Sequence, residues 1–206
     1  MCGITGFISI ELNDNKYFNL LNDMSNQLAH RGPNDSGCWF SIDDKIGLAH
    51  RRLSILDISK AGAQPMHSSS NRYAIVYNGE IYNHLEIRKE IYSNYKFNGW
   101  HGTSDTETLL KGFDLWGIEK MLQKCTGMFA IAVWDKKLKC LNLARDRIGE
   151  KPLYYGWQGN SFIFGSELKS FYPHPDFKKE INKDALYSLL RYYNVAGLNT
   201  ISKIFI

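Results

Sequence analysis

The N-terminal stretch Met1-Cys2-Gly3-Ile4-Thr5-Gly6-Phe7-Ile8-Ser9-Ile10 decides how the chain is read. Its residues are apolar or small, and Gly3 and Gly6 set among Ile4, Phe7, Ile8 and Ile10 predict a buried strand whose glycines permit close approach near the terminus. A thiol heads this strand. Cysteine is small enough that the initiator Met1 is expected to be trimmed, which leaves an α-amine with an ordinary pKa of roughly 7.7–8.0 beside the Cys2 side chain. A neutral amine can take the Sγ proton directly or through one water, the logic by which terminal nucleophiles are activated. Alone, a cysteine at position 2 is more often an accident than a nucleophile, so the weight falls on the rest of the chain.

Outward from that strand, Asn13 to Asn15 is a polar break, and Phe18, Leu21, Met24 and Leu28 recur at helical spacing up to His30. His30-Arg31-Gly32-Pro33-Asn34-Asp35-Ser36-Gly37 is dense in turn formers and reads as a loop. Residues 38–42 and 45–49 read as two strands about Asp43-Asp44, with His50-Arg51-Arg52 directly after them. A strand over 72–77 ends at Asn78-Gly79-Glu80. That Asn-Gly pair has two readings: a hairpin turn, and a side-chain amide next to an unhindered backbone N–H, which are the parts of an oxyanion hole. Asn83 is placed to cap a helix through Leu85, Ile87 and Ile91, and Ser104 and Glu107 have capping-box spacing at the head of another. Asp105 then lies in a first helical turn, where its simplest role is to complement the helix dipole. A short helix over 118–124 and strands over 128–134, 139–144, 153–157 and 161–164 suit an antiparallel meander, followed by helices over 167–171 and 184–193. Two packed sheets covered by helices on both sides satisfy this order, an α+β arrangement.

With 206 residues, 44% hydrophobic and 14% aromatic, the chain can bury a substantial core and is most simply one domain. A net charge of +4, with Lys and Arg scattered among Asp and Glu, gives no reason to invoke nucleic acid. Cys2, Cys38, Cys125 and Cys140 show neither CxxC spacing nor zinc-type pairing with His, so no metal is expected. With Cys2 reserved an odd number remains, which argues against structural disulfides and for a reducing, cytoplasmic setting. The longest apolar run, residues 127–134, is too short to span a bilayer, so no membrane partner is expected.

Taken together the motifs closely resemble the glutaminase domain of the class II glutamine amidotransferases, in the N-terminal-nucleophile (Ntn) hydrolase group, nearest the asparagine synthetase B type. The resemblance is carried by Met1-Cys2-Gly3-Ile4, His30-Arg31-Gly32-Pro33, the block 48–57, Gly62 to Met66, Tyr77-Asn78-Gly79-Glu80-Ile81-Tyr82-Asn83-His84, Ser104-Asp105, Gly127-Met128-Phe129-Ala130, Asp146-Arg147-Ile148-Gly149 and Phe164-Gly165-Ser166-Glu167. It spans nearly the whole chain, 1–206, and implies a four-layer αββα sandwich of two mainly antiparallel sheets. It further implies hydrolysis of the L-glutamine side-chain amide to glutamate and ammonia through a γ-glutamyl thioester on Cys2, with Asn78 and Gly79 receiving the oxyanion. By family position Arg52 grips the α-carboxylate, Asp105 takes the α-ammonium with Glu80 beside it, and Leu53 and Ile55 line the pocket.

The asparagine synthetase type continues into an ATP-pyrophosphatase domain with a Ser-Gly-Gly-x-Asp-Ser phosphate loop, and that motif is absent here. No cofactor is therefore expected on this segment: ATP and Mg belong to the synthetase part. Ammonia would pass to an ammonia-accepting synthetase domain or subunit, and the chain reads as truncated before one. The acceptor, aspartate or a sugar carboxylate, stays open, as does a homodimer. Asn34 departs from the family pattern, which usually has Asp after His-Arg-Gly-Pro, although Asp35 follows immediately. A Cys-His dyad using His30, His50 or His84 carries less weight, because the terminal amine already fills the role of base. The alternative of another class is a non-catalytic glutamine-sensing or regulatory module, against which the joint presence of Cys2, Asn78 and Gly79 argues.

Overall fold

Strand β1, Gly3–Ser9, lies at the centre of a five-stranded antiparallel sheet in the computed structural model, which describes residues 1–9, 14–53 and 60–192, the side chains of 14–16 and 60 excepted. Its neighbours are β3 (Ile46–Arg52) and β9 (Ser161–Gly165), with β2 (Asp35–Ser41) and β8 (Tyr154–Gln158) at the edges. Gly6 is required there, since a Cβ would press into the Gly47 carbonyl oxygen and stand 2.5 Å from the Phe164 ring. The second sheet has the order β4 (Met66–His67), β5 (Tyr73–Ile81), β6 (Gly127–Asp135), β7 (Cys140–Arg145), again antiparallel. Among the described residues five α-helices flank the sheets: α1 (Asp14–Asn26), α2 (His84–Tyr95), α3 (Asp105–Trp116), α4 (Ile118–Lys124) and α5 (Lys183–Tyr192). No helix among the described residues is long and apolar enough to cross a membrane.

The alternation of side chains along each strand builds the layers. Ile4 and Ile8, Ile46 and Leu48, Ala74 and Val76, and Ala130, Ala132 and Trp134 face the gap between the sheets. Phe7, Ala49 and Ile163 turn outward onto Tyr17, Leu21 and Met24 of α1. Tyr73, Ile75, Tyr77, Ile131 and Val133 turn outward onto Ile87, Ile91, Leu109, Phe113 and Met121 of α2, α3 and α4. Each large apolar side chain so buried contributes about 1.5–3 kcal/mol, and the result is the expected helix–sheet–sheet–helix stack. The parity has a second consequence. Cys2, His50, Arg52, Asn78, Glu80 and Met128 all occupy even positions, so they face the same inter-sheet gap, at the end where apolar filling gives way to polar side chains.

Several local expectations are corrected. Asn78-Gly79 is not a hairpin turn: β5 runs on to Ile81, with Asn78 paired to Ala130 and Gly79 to Phe129, and neither residue has the positive φ of a type I′ turn. His50 to Arg52 belong to β3 itself, not to a segment after it, because β2 begins at Asp35 and pairs with them. The strands after α4 are two hairpins in different sheets, since residues 146–153 carry the chain across the stack between β7 and β8. Phe18 is 54% exposed; Tyr17, one position earlier, packs with Leu21 and Met24 instead. Leu85 is likewise exposed, leaving Ile87 and Ile91 as the buried positions of α2. Asn83 precedes α2 without capping it; its amide donates to the Lys124 carbonyl at 2.9 Å and accepts from Thr126 N–H at 2.9 Å. Half of the capping box forms: Ser104 accepts from Thr106 N–H at 3.1 Å, but Glu107 turns to the backbone N–H groups of His101 and Gly102.

Candidate active site

Where the two sheets diverge beyond their apolar layer, a cavity of about 120 Å³ opens, lined by Cys2, Arg52, Leu53, Asn78, Gly79, Glu80 and Asp105, together with Gln64, Met128 and Lys151. Every described residue expected at the site thus lines one space. Ile55 lies outside the described residues.

Cys2 is held from three directions. Its carbonyl accepts from Arg31 Nε at 2.9 Å, and the same guanidinium donates through Nη1 to Glu167 Oε1 at 2.9 Å. Two residues on, Ile4 N–H donates to Ser166 Oγ at 3.0 Å and Ser166 N–H returns to the Ile4 carbonyl at 2.8 Å. The thiol faces Leu53, whose N–H points at Sγ from 3.3 Å. Gly32 brings the Arg31 turn this close, since a Cβ there would stand 2.5 Å from the Arg52 amide nitrogen.

Asn78 is 2% exposed, and its Nδ2 has no hydrogen-bond partner among the described residues. A buried donor left unpaired costs about 1–3 kcal/mol, so this amide marks a place for an incoming acceptor. Gly79 follows with its own N–H. Only glycine fits there, because a Cβ would press into the Met128 carbonyl oxygen and stand 2.7 Å from Phe129 Cα.

Asp105 does more than face a helix dipole. It is buried, and its Oδ2 accepts from Tyr77 Oη at 2.7 Å and from Ile81 N–H at 2.9 Å, tying α3 to β5. Burial, with the neighbouring carboxylate, pushes the Tyr77 hydroxyl well above its ordinary pKa, so it remains a donor. Gln64 makes a parallel tie, accepting from Tyr77 N–H at 2.7 Å and donating to Thr106 Oγ1 at 3.3 Å.

His50 lines the cavity but is occupied otherwise. Its Nε2 lies 3.1 Å from the Tyr77 carbonyl, which can only accept, so Nε2 carries the proton. Burial pushes its pKa down to about 4, and it stays neutral near pH 7. His30 instead meets Glu167 at 3.0 Å, and neither it nor His84 lines the cavity. The geometry gives Cys2 no imidazole partner among the described residues.

The turn 146–151 closes one side. Burial alone would raise the Asp146 pKa, but backbone N–H groups of Glu150, Lys151, Phe129 and Gly149 outweigh it and hold the carboxyl below its ordinary value. Arg145 donates to the Lys151 and Gly149 carbonyls, both at 2.6 Å, and Gly149 supplies the positive φ of 75°. Arg31, Gln64, Met128 and Lys151 are among the site residues to which sequence reasoning assigned no role. Their motifs were visible, but no spacing rule says that an arginine 29 residues away grips the Cys2 carbonyl.

Residues 1–204 match the family model of the glutamine amidotransferase domain. The chain belongs to that family. This amidotransferase domain is 39% identical to asparagine synthetase [glutamine-hydrolyzing] 3 of Bacillus subtilis, over 90% of the chain and 30% of that protein. It is also 39% identical to putative asparagine synthetase [glutamine-hydrolyzing] 2 of Methanocaldococcus jannaschii, over 90% of the chain and 38% of that protein. The chain thus spans about a third of the length of these curated relatives. Among solved structures, the glutamine phosphoribosylpyrophosphate amidotransferase of B. subtilis superposes with a TM-score of 0.65 at 19% identity, covering 83% of this chain and 43% of that one. A structure titled the allosteric regulatory enzyme of purine biosynthesis superposes at 0.69 with 18% identity, covering 84% and 43%. These likenesses show that the chain shares the fold of both structures.

Proposed function

We propose that this domain hydrolyses the side-chain amide of L-glutamine to glutamate and ammonia, with Cys2 as nucleophile after removal of Met1. The observation that carries the reading is the buried, unpartnered Asn78 amide beside Gly79 in the cavity that also holds Cys2. The neutral α-amine takes the Sγ proton, the thiolate attacks the amide carbon, and the ammonium returns the proton to the departing ammonia. Water then cleaves the γ-glutamyl thioester. The Asn78 amide and Gly79 N–H receive the oxyanion, each such donor contributing about 2.7–4 kcal/mol of transition-state stabilisation.

Free glutamine also carries two charged groups. The Arg52 guanidinium matches the α-carboxylate, and Asp105 and Glu80 match the α-ammonium, with Leu53 against the methylenes. The ammonia would go to an ammonia-accepting synthetase domain or subunit, as the names of the asparagine synthetase relatives suggest, and ATP and Mg would belong to that part alone. All four cysteines are unpaired, which supports a reducing, cytoplasmic setting.

The test is glutamate release from L-glutamine by the purified chain and by Cys2→Ala. Release by the first and not the second supports the reading. Binding of glutamine with no release by either would favour the sensing module.

A further inference from the structure

Asp105 is 5% exposed and lines the cavity, yet no cation stands within 4 Å of its carboxylate among the described residues. A buried carboxylate is costly without a cationic partner, and a ligand can supply one. Its two hydrogen bonds both fall on Oδ2, from Tyr77 Oη at 2.7 Å and from Ile81 N–H at 2.9 Å, so among the described residues Oδ1 accepts none. The torsion that turns a carboxylate about its Cβ–Cγ bond is broad, and one donor alone would let the two oxygens reorient. Two donors on one oxygen hold the group in a single orientation.

We infer that Tyr77 is a positioning residue for selectivity: its hydroxyl holds Oδ2 of Asp105, leaving Oδ1 to accept from the α-ammonium of the ligand, so that the cavity prefers glutamine to the same amide acid without that ammonium. The inference rests on the proposed reading of the cavity as a glutamine site. The hydroxyl is not needed to dock the helix that carries Asp105. Gln64 ties β5 to α3 independently, accepting from Tyr77 N–H at 2.7 Å and donating to Thr106 Oγ1 at 3.3 Å. Arg88 of α2 holds the segment before α3, donating to the carbonyls of Gly102 at 2.9 Å and Ser104 at 2.7 Å. Ser104 in turn caps α3 by accepting from Thr106 N–H at 3.1 Å. The Tyr77 ring is packed in the apolar layer of α2, α3 and α4, where a phenylalanine ring would stay. Tyr77→Phe therefore removes one donor from Asp105 and leaves the frame around it.

The experiment uses the full chain with Met1 removal confirmed by mass, and Cys2→Ala to measure binding without turnover. Calorimetric titration gives the affinity of Cys2→Ala, with and without Tyr77→Phe, for L-glutamine and for glutaramate, which is glutamine without its α-ammonium. Tyr77→Phe should weaken glutamine by about 10- to 100-fold, the scale of a hydrogen bond to a charged group, and leave glutaramate unchanged. In an Asp105→Asn background the same substitution should cost nothing, a cycle that needs glutamine alone. With Cys2 intact, Tyr77→Phe should raise KM for glutamine and change kcat little. Equal losses for the two ligands would mean a structural role and overturn the inference, as would an unchanged preference for glutamine. If Cys2→Ala binds glutamine but the chain with Cys2 intact releases no glutamate, the hydrolytic reading fails while the two affinities still decide the role of Tyr77. A chain that binds neither ligand contradicts both.

Discussion

Arg31 Nε donates to the carbonyl of Cys2 at 2.9 Å, and Glu167 anchors the far side of the same guanidinium. Cys2, the proposed nucleophile, is therefore held by its backbone from a turn remote in sequence, while its thiol faces Leu53 in the cavity. A lysine lacks the planar fork that serves two acceptors at once. Arg31→Lys should lower kcat for glutamine by about 10- to 100-fold, the scale of a small misplacement of a reacting group. KM should change little, because Arg31 does not line the cavity. Steady-state kinetics check this; a raised KM with unchanged kcat would be the wrong signature.

Asn78→Ala removes a donor that has no partner among the described residues. It should lower kcat by about 10²–10³ while leaving Cys2 reactive towards iodoacetamide. Kinetics and alkylation on one preparation separate a lost oxyanion donor from a lost nucleophile.

Gly79→Ala forces a Cβ against the Met128 carbonyl and Phe129 Cα, both backbone atoms of the partner strand. Neither can move without disturbing the pairing of β5 with β6. The substitution should destabilise the fold by about 1–3 kcal/mol, read from the urea midpoint. An unchanged midpoint would mean the strands are more loosely coupled than their register implies.

Burial pushes His50 down to about 4, and His174 is pushed down to about 4 by its own burial. Both are neutral when folded and protonate more readily when unfolded. The stability each supports is therefore fully present above pH of about 6.5 and is lost as the pH falls towards 4, by up to about 3 kcal/mol for each. His50→Gln should remove its own part of this fall in unfolding free energy, up to about 3 kcal/mol over the window. Urea titrations at several pH values measure the slopes.

The sheet-forming parts of the chain were legible because strand alternation is local: Ile4, Val76 and Ala130 announce a buried face by their neighbours alone. The site was legible only through its motifs in combination. Asn78-Gly79 shows why, since a pair that ordinarily turns a hairpin is held extended by nine residues of pairing with β6, a tertiary constraint invisible in the dipeptide. Asp105 is a second case. Its position in a first helical turn was readable, but its bonds to Tyr77 and Ile81 depend on how α3 docks on β5. The split of the late strands between two sheets was hidden for a similar reason: the turn at Asp146 and Gly149 looks like any other turn until its direction is known.

The central claim is that Cys2 is a competent nucleophile facing a glutamine-shaped cavity. It is tested most directly by the intact mass of the purified chain before and after incubation with a diazo-ketone analogue of glutamine. The account predicts loss of Met1 and a single adduct on the N-terminal peptide, suppressed by excess L-glutamine and absent in Cys2→Ala. A chain that keeps Met1, or that loses it and never reacts, would contradict it.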